Sequence, residues 1–139
     1  MPGGASSIPR AFRFTLDADS GVPVYRQIID LVLGGIASGA LAAGHQLPTV
    51  RQLAVDLAIN PNTVIRAYRE LELRGVLDTQ QGTGTFVARQ KVPPATAGRA
   101  RRLNQLTQDF AARCGAEGFT VDEMIEALED LRPAQKRRP

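Results

Sequence analysis

The sequence predicts a mainly α fold with a small β-wing (α+β), and three observations carry that expectation. Two apolar patterns of helical spacing, one starting at Thr49 and one at Pro61, are separated by a short polar turn. Two β-type segments follow at once around Gln81-Gly82-Thr83-Gly84, a hairpin-turn signal. After the break at Pro93-Pro94, residues 99–131 return to helical spacing as a short two-helix appendage.

The elements follow in order. Phe12-Arg13-Phe14-Thr15-Leu16 alternates apolar and polar and predicts a short strand. Asp17 to Gly21 reads as a polar turn. Val24, Ile28, Leu31, Val32 and Ile36 mark a first helix that ends near Gly39. Thr49 opens the second helix, with Gln52 three residues on as the partner of a capping box. Leu53, Ala54 and Leu57 face inward, and this helix ends by Ala58 or Ile59. Asn60 then caps a third helix with Pro61 at its first position, where a missing N–H costs nothing. Val64, Ala67, Tyr68 and Leu71 form its apolar stripe, and Gly75 stops it. Val76–Gln80 and Thr85–Ala88 are the two arms of the hairpin. In the appendage, Leu103, Leu106, Phe110 and Cys114 recur at helical spacing. Thr120 and Glu123 form a second capping box before Val121, Met124, Ile125, Leu128 and Leu131. The expected organisation is therefore a disordered tail over 1–10, a globular domain over 11–90, a linker over 91–98, a helical segment over 99–132 and a basic tail over 133–139.

Composition narrows the class. The chain has 139 residues, 43% hydrophobic and 22% charged, which suits a soluble globular domain with an appendage. Aromatics are 5% and Trp is absent, so the core falls to Leu, Val, Ile and Ala. No run approaches the roughly 18 apolar residues of a membrane span, and the N-terminus lacks the pattern of a secretory signal. The single cysteine, Cys114, excludes an intrachain disulfide, and with the single histidine, His45, it argues against a Cys- or His-based metal site. A cytoplasmic protein without a cofactor is expected. The net charge of +3 favours a polyanion partner only weakly. Position matters more: Arg99, Arg101 and Arg102 cluster after the linker, and Lys136-Arg137-Arg138 reads either as a frayed tail or as a supplementary phosphate contact.

A helix-turn-helix needs two short helices at a steep angle and a second helix with one apolar and one polar face. Opposite the stripe of the third helix lie Asn62, Thr63, Arg66 and Arg69. Asn62, Arg66 and Arg69 are spaced by four and three and share a face. Asparagine can bond adenine through two atoms, arginine can fork onto guanine, and both bind phosphate. The start of the helix would add free N–H groups for phosphate. Taken alone, this face also fits an ordinary solvated helix. The hairpin that follows shifts the balance, because Gly82 and Gly84 let a tight turn approach a backbone closely and Thr83 adds a small donor. Arg51, near the start of the second helix, fits a phosphate contact or an exposed helix arginine. The order as a whole predicts a winged helix-turn-helix that binds double-stranded DNA.

Leu47–Val87, LPTVRQLAVDLAINPNTVIRAYRELELRGVLDTQQGTGTFV, resembles the winged helix-turn-helix of the GntR family of bacterial transcription regulators. SGVPVYRQI and the Asn60-Pro61-Asn62-Thr63-Val64 turn resemble its YtrA-type subfamily, as does the short helical C-terminal segment. The resemblance implies a homodimer that binds a palindromic operator, usually as a repressor, often of a transporter operon and of its own gene. It implies DNA contacts from Arg51, from the turn of Asn60, Pro61, Asn62 and Thr63, from Arg66, and from the wing tip of Gly82, Thr83 and Gly84. Ile65 stands where many relatives carry a basic residue; it either meets a thymine methyl or packs.

Leu103, Leu106, Phe110, Val121, Met124, Ile125, Leu128 and Leu131 are too many for two short helices to bury between themselves, and they predict the dimer interface. The alternative is that they pack back on their own winged domain. No polar cluster converges there, so a small-molecule effector at the dimer seam has no support from the residues. Two other functions fit the residues less well. A winged helix used for protein assembly would present an apolar or acidic recognition face, against Asn62, Arg66 and Arg69. An enzyme is not expected: there is no catalytic triad, phosphate-binding glycine loop or metal pattern, and the chain is too short for the aminotransferase-like domain of some GntR relatives.

Overall fold

The computed structural model describes residues 12–91 and 93–134. The tail over 1–10 and the basic Lys136-Arg137-Arg138 run lie outside the described residues. The chain divides into two compact units at the Gln90–Lys91 bond.

The first unit is built around α1 (Val24–Ser38), β1 (Gln46–Leu47), α2 (Val50–Leu57), α3 (Pro61–Leu73), β2 (Leu77–Gln80) and β3 (Gly84–Val87). Ile28, Ile29 and Val32 of α1, Leu53 and Ala54 of α2, and Val64, Ala67, Tyr68 and Leu71 of α3 are buried together in one core. α1 ends at Gly39, whose φ of 85° closes the helix with an N–H bond to the Ile36 carbonyl. Gly35 makes room inside the core. A Cβ there would lie 2.7 Å from Cε1 of Phe12 and 3.0 Å from Cδ1 of Leu41.

The sheet is antiparallel in the order β1-β3-β2, with Gln46 opposite Phe86 and Leu77 opposite Val87. Two expectations change here. Phe12–Leu16 is not a strand. Its alternation is real, since Phe12 is buried and Phe14 and Leu16 are half-buried, but among the described residues no neighbouring backbone pairs with it. Its Phe12 and Phe14 rings pack edge to face at 5.0 Å instead. The third strand is β1, two residues long and therefore too short to show a period of two. The bonds Gly44 N–H to Val87 O and Val87 N–H to His45 O, each 2.8 Å, extend this pairing.

The cap of α2 is only half of the expected box. Thr49 Oγ1 accepts from Gln52 N at 3.0 Å, but the Gln52 amide turns to the Asp56 carboxylate at 2.9 Å. The box would have Gln52 Oε1 accept from Thr49 N–H; instead Gln52 Nε2 donates to a charged acceptor one turn along. α2 ends at Ala58, the only non-glycine at positive φ (54°) among the described residues.

The second unit holds α4 (Ala97–Ala116) and α5 (Val121–Asp130). α4 begins two residues inside the expected linker. Thr96 Oγ1 accepts from Arg99 N at 3.1 Å, so the helix starts on that cap and Gly98 is helical. At α5 both halves of the Thr120–Glu123 box are present. α4 has no buried residue and α5 buries only Met124. Met124 lines a groove with Phe110, Cys114, Phe119, Glu123 and Ala127. Met124 is therefore buried within its own unit, whereas the other apolar residues of the predicted interface are exposed, Phe110 of the same groove among them. Leu103, Leu106, Phe110, Val121, Ile125, Leu128 and Leu131 are all exposed, at 44–65%.

Alanine at a left-handed position carries a steric cost that glycine avoids, about 1 kcal/mol. Ala58→Gly is expected to stabilise the first unit by up to that amount in urea unfolding. A loss of stability would show that the turn between α2 and α3 is not strained.

Candidate nucleic-acid interface

α3 is held at both ends of its buried stripe. At its start, Asn60 Oδ1 accepts from Asn62 N at 2.8 Å, and Thr63 N–H bonds the Asn60 carbonyl at 3.0 Å. Pro61 has no N–H to offer. The first three residues of α3 therefore present no free backbone donor, contrary to the expectation that the N-terminus would supply them to a phosphate. Only the positive end of the helix dipole remains there. Further along, Tyr68 is buried and its hydroxyl donates to the Pro48 carbonyl at 2.7 Å. Pro48 precedes the cap of α2, so this bond ties α3 to the entry of α2 and helps set their crossing. Burial pushes the Tyr68 phenol well above its ordinary range.

The opposite face of α3 is open. Asn62, Ile65, Arg66 and Arg69 are exposed and Thr63 is half-buried. The Arg66 guanidinium lies over the ring of Tyr25 in α1, 3.7 Å from its centroid. Arg51, in α2, and Arg69 are exposed, and their side chains make no hydrogen bond or ion pair among the described residues. Arg74, by contrast, is engaged by Glu70 at 2.9 Å.

The hairpin tip follows. Gly82 and Gly84 have φ of 76° and 140°, values that favour glycine. Thr83 N–H closes the turn on the Gln80 carbonyl at 3.0 Å. Gln46 Nε2 donates to the Thr83 carbonyl at 3.2 Å. A Cβ on Gly84 would sit 2.5 Å from that same nitrogen. Gly84 thus serves twice, in its conformation and in leaving space for the Gln46 amide.

Residues 24–87 match the model of the bacterial regulatory proteins of the gntR family. The chain is 32% identical over 110 residues to the uncharacterized HTH-type transcriptional regulator YhcF of Bacillus subtilis, covering 79% of this chain and 90% of that protein. The chain belongs to the GntR family. It is 28% identical over 116 residues to the HTH-type transcriptional repressor YtrA of Bacillus subtilis, covering 84% and 89% of the two chains. The solved structure of YtrA from Sulfolobus acidocaldarius, a GntR-family transcription factor, superposes with a TM-score of 0.52 at 30% identity, over 70% of this chain and 97% of that one. The protein is a winged helix-turn-helix, DNA-binding transcription regulator of the YtrA type.

In this GntR regulator the residues singled out from sequence divide by what the structure gives them to do. Asn62, Arg66 and Arg69 share the outer face of α3, Arg51 stands on α2, and Gly82, Thr83 and Gly84 form the hairpin tip. Asn60 and Pro61 build the start of α3, with one Asn60 acceptor already used by its cap. Two residues escaped the sequence reading. Tyr25 lies half-buried in the first turn of α1, where an aromatic reads as core. Gln46 lies in a strand of two residues and acts across 37 positions of sequence. No local pattern could have revealed either.

Because the folded state keeps Tyr68 protonated beyond its unfolded pKa of about 10, its contribution is complete below that pH and is lost as pH rises above it. Stability to urea is expected to fall more steeply above about pH 10 in the native chain than in Tyr68→Phe. Identical alkaline losses would mean that Tyr68 does not drive the effect.

Proposed function

We propose that the protein is a homodimeric repressor of an inverted-repeat operator, acting in the cytoplasm and without a catalytic step. The observation that carries this reading is the outer face of α3. Its Asn62, Arg66 and Arg69 are exposed while its other face is buried in the core. A helix of this kind can lie in the major groove with its first turns toward the base edges. In this reading Arg66 and Asn62 meet base edges or phosphates, Arg69 and Arg51 meet phosphates, and the Gly82-Thr83-Gly84 tip meets the backbone beside the groove. Ile65, exposed on the same face, offers an apolar contact to a thymine methyl.

The dimer is supported by the second unit. Its exposed Leu103, Leu106, Phe110, Val121, Ile125, Leu128 and Leu131 form an apolar set that a second copy would cover. Two copies would present two recognition helices to two half-sites, and the two-fold axis would appear in the DNA as an inverted repeat. Repression is carried over from YtrA of Bacillus subtilis, which is called a repressor. Control of a transporter operon together with the regulator's own gene follows from the resemblance to the YtrA type.

Selection of bound duplexes from a random pool is expected to recover an inverted repeat; a recovered set without two-fold symmetry would remove the dimeric operator reading. Arg66→Ala is expected to weaken binding to the selected duplex by about 1–3 kcal/mol. A base contact predicts relaxed preference at one position in each half-site, and a phosphate contact an equal loss on all sequences. Light scattering checks the interface: the exposed pair Ile125→Glu and Leu128→Glu should convert a dimer to a monomer. A dimer that survives both charges would place the interface elsewhere.

A further inference from the structure

We infer that Tyr25 of α1 is a positioning residue of the DNA interface, whose ring seats the Arg66 guanidinium before DNA arrives. The inference rests on the reading of the outer face of α3 given above. The Arg66 side chain makes no hydrogen bond or ion pair among the described residues; its contact is the ring face at 3.7 Å. That contact occupies a face of the planar guanidinium. Its five N–H donors lie in the plane and remain available to a base edge or a phosphate. The stack therefore orders the side chain without consuming what it binds with.

Tyr25 is itself held. It packs against the core as the second residue of α1. The segment before α1 is fastened by Gln27, whose Nε2 donates to the Asp17 carbonyl at 3.0 Å, to Ser20 Oγ at 3.1 Å and to the Val22 carbonyl at 2.9 Å. Gln27 Oε1 accepts from Asp17 N at 2.8 Å. A flexible arginine on α3 thus rests on a ring that the core and the first turn of α1 hold in place. Ordering a long side chain on binding costs conformational entropy, and an arginine already ordered loses less. Arg69, with no such seat, stays free to reorient.

The test is a double-mutant cycle read by fluorescence anisotropy on the selected inverted-repeat duplex and on a random-sequence duplex pool of the same length. Tyr25→Leu keeps apolar bulk but removes the ring face; Tyr25→Phe keeps the face and removes the hydroxyl. Tyr25→Leu is expected to weaken the selected duplex about three- to tenfold, and Tyr25→Phe to stay within about twofold. In the Arg66→Ala background, Tyr25→Leu should change nothing further. Melting temperatures should match across the set, with Tyr25→Met as the second variant if Tyr25→Leu melts early. Equal weakening with and without Arg66, or none while Arg66→Ala weakens binding, would overturn the inference and leave the interface standing. Unchanged binding of both duplexes by Arg66→Ala would overturn the interface assignment of Arg66 and the inference together.

Discussion

The winged unit depends on the burial of one stripe of α3. Val64, Ala67 and Leu71 are fully buried and Tyr68 nearly so. Full burial of a large apolar side chain is worth about 1.5–3 kcal/mol, so the stripe anchors α3 against α1 and α2. A helix has only one way to satisfy such a stripe, and the residues opposite it must face outward. The exposure of Asn62, Arg66 and Arg69 is thus the geometric complement of the core. The Tyr68–Pro48 bond adds direction to this packing, because a hydrogen bond fixes an angle that apolar contact leaves soft.

The same constraint positions the hairpin. α3 stops at Arg74, and Gly75 turns the chain with φ of 75°. Val76 N–H returns to the Leu71 carbonyl at 2.9 Å and Val76 is buried, so β2 leaves from a fixed point. The tip is then held from the other side of the sheet by Gln46. Recognition helix and hairpin tip are both referred to the α1–α3 core, and their relative placement is part of the fold.

The second unit follows a different logic. Short helices are marginal alone, and most of their stability comes from a packed apolar face. α4 buries nothing and α5 one methionine, although both have well-formed caps. Local signals suffice to start and end these helices, while the burial that would stabilise them lies beyond what the chain's own packing supplies. That imbalance is the physical basis of the dimer proposal.

Much of this was legible in the residues. The caps at Asn60 and Thr120, the Gly39 and Gly75 stops, the stripe of α3 and the Gly82–Gly84 turn are encoded within a few positions, because capping, helical period and positive φ are local properties. The GntR resemblance rests on the same local run. What tertiary structure decided is whatever depends on residues distant in sequence. It denied Phe12–Leu16 a strand partner and paired Gln46–Leu47 with β3. It also set Tyr25 under Arg66. The sequence by itself determined which helix would carry an outward polar face and where that face would lie. Only the packing of α1 on α3 decided that one arginine of that face would be held, because a ring and a guanidinium 41 positions apart have no local rule to join them.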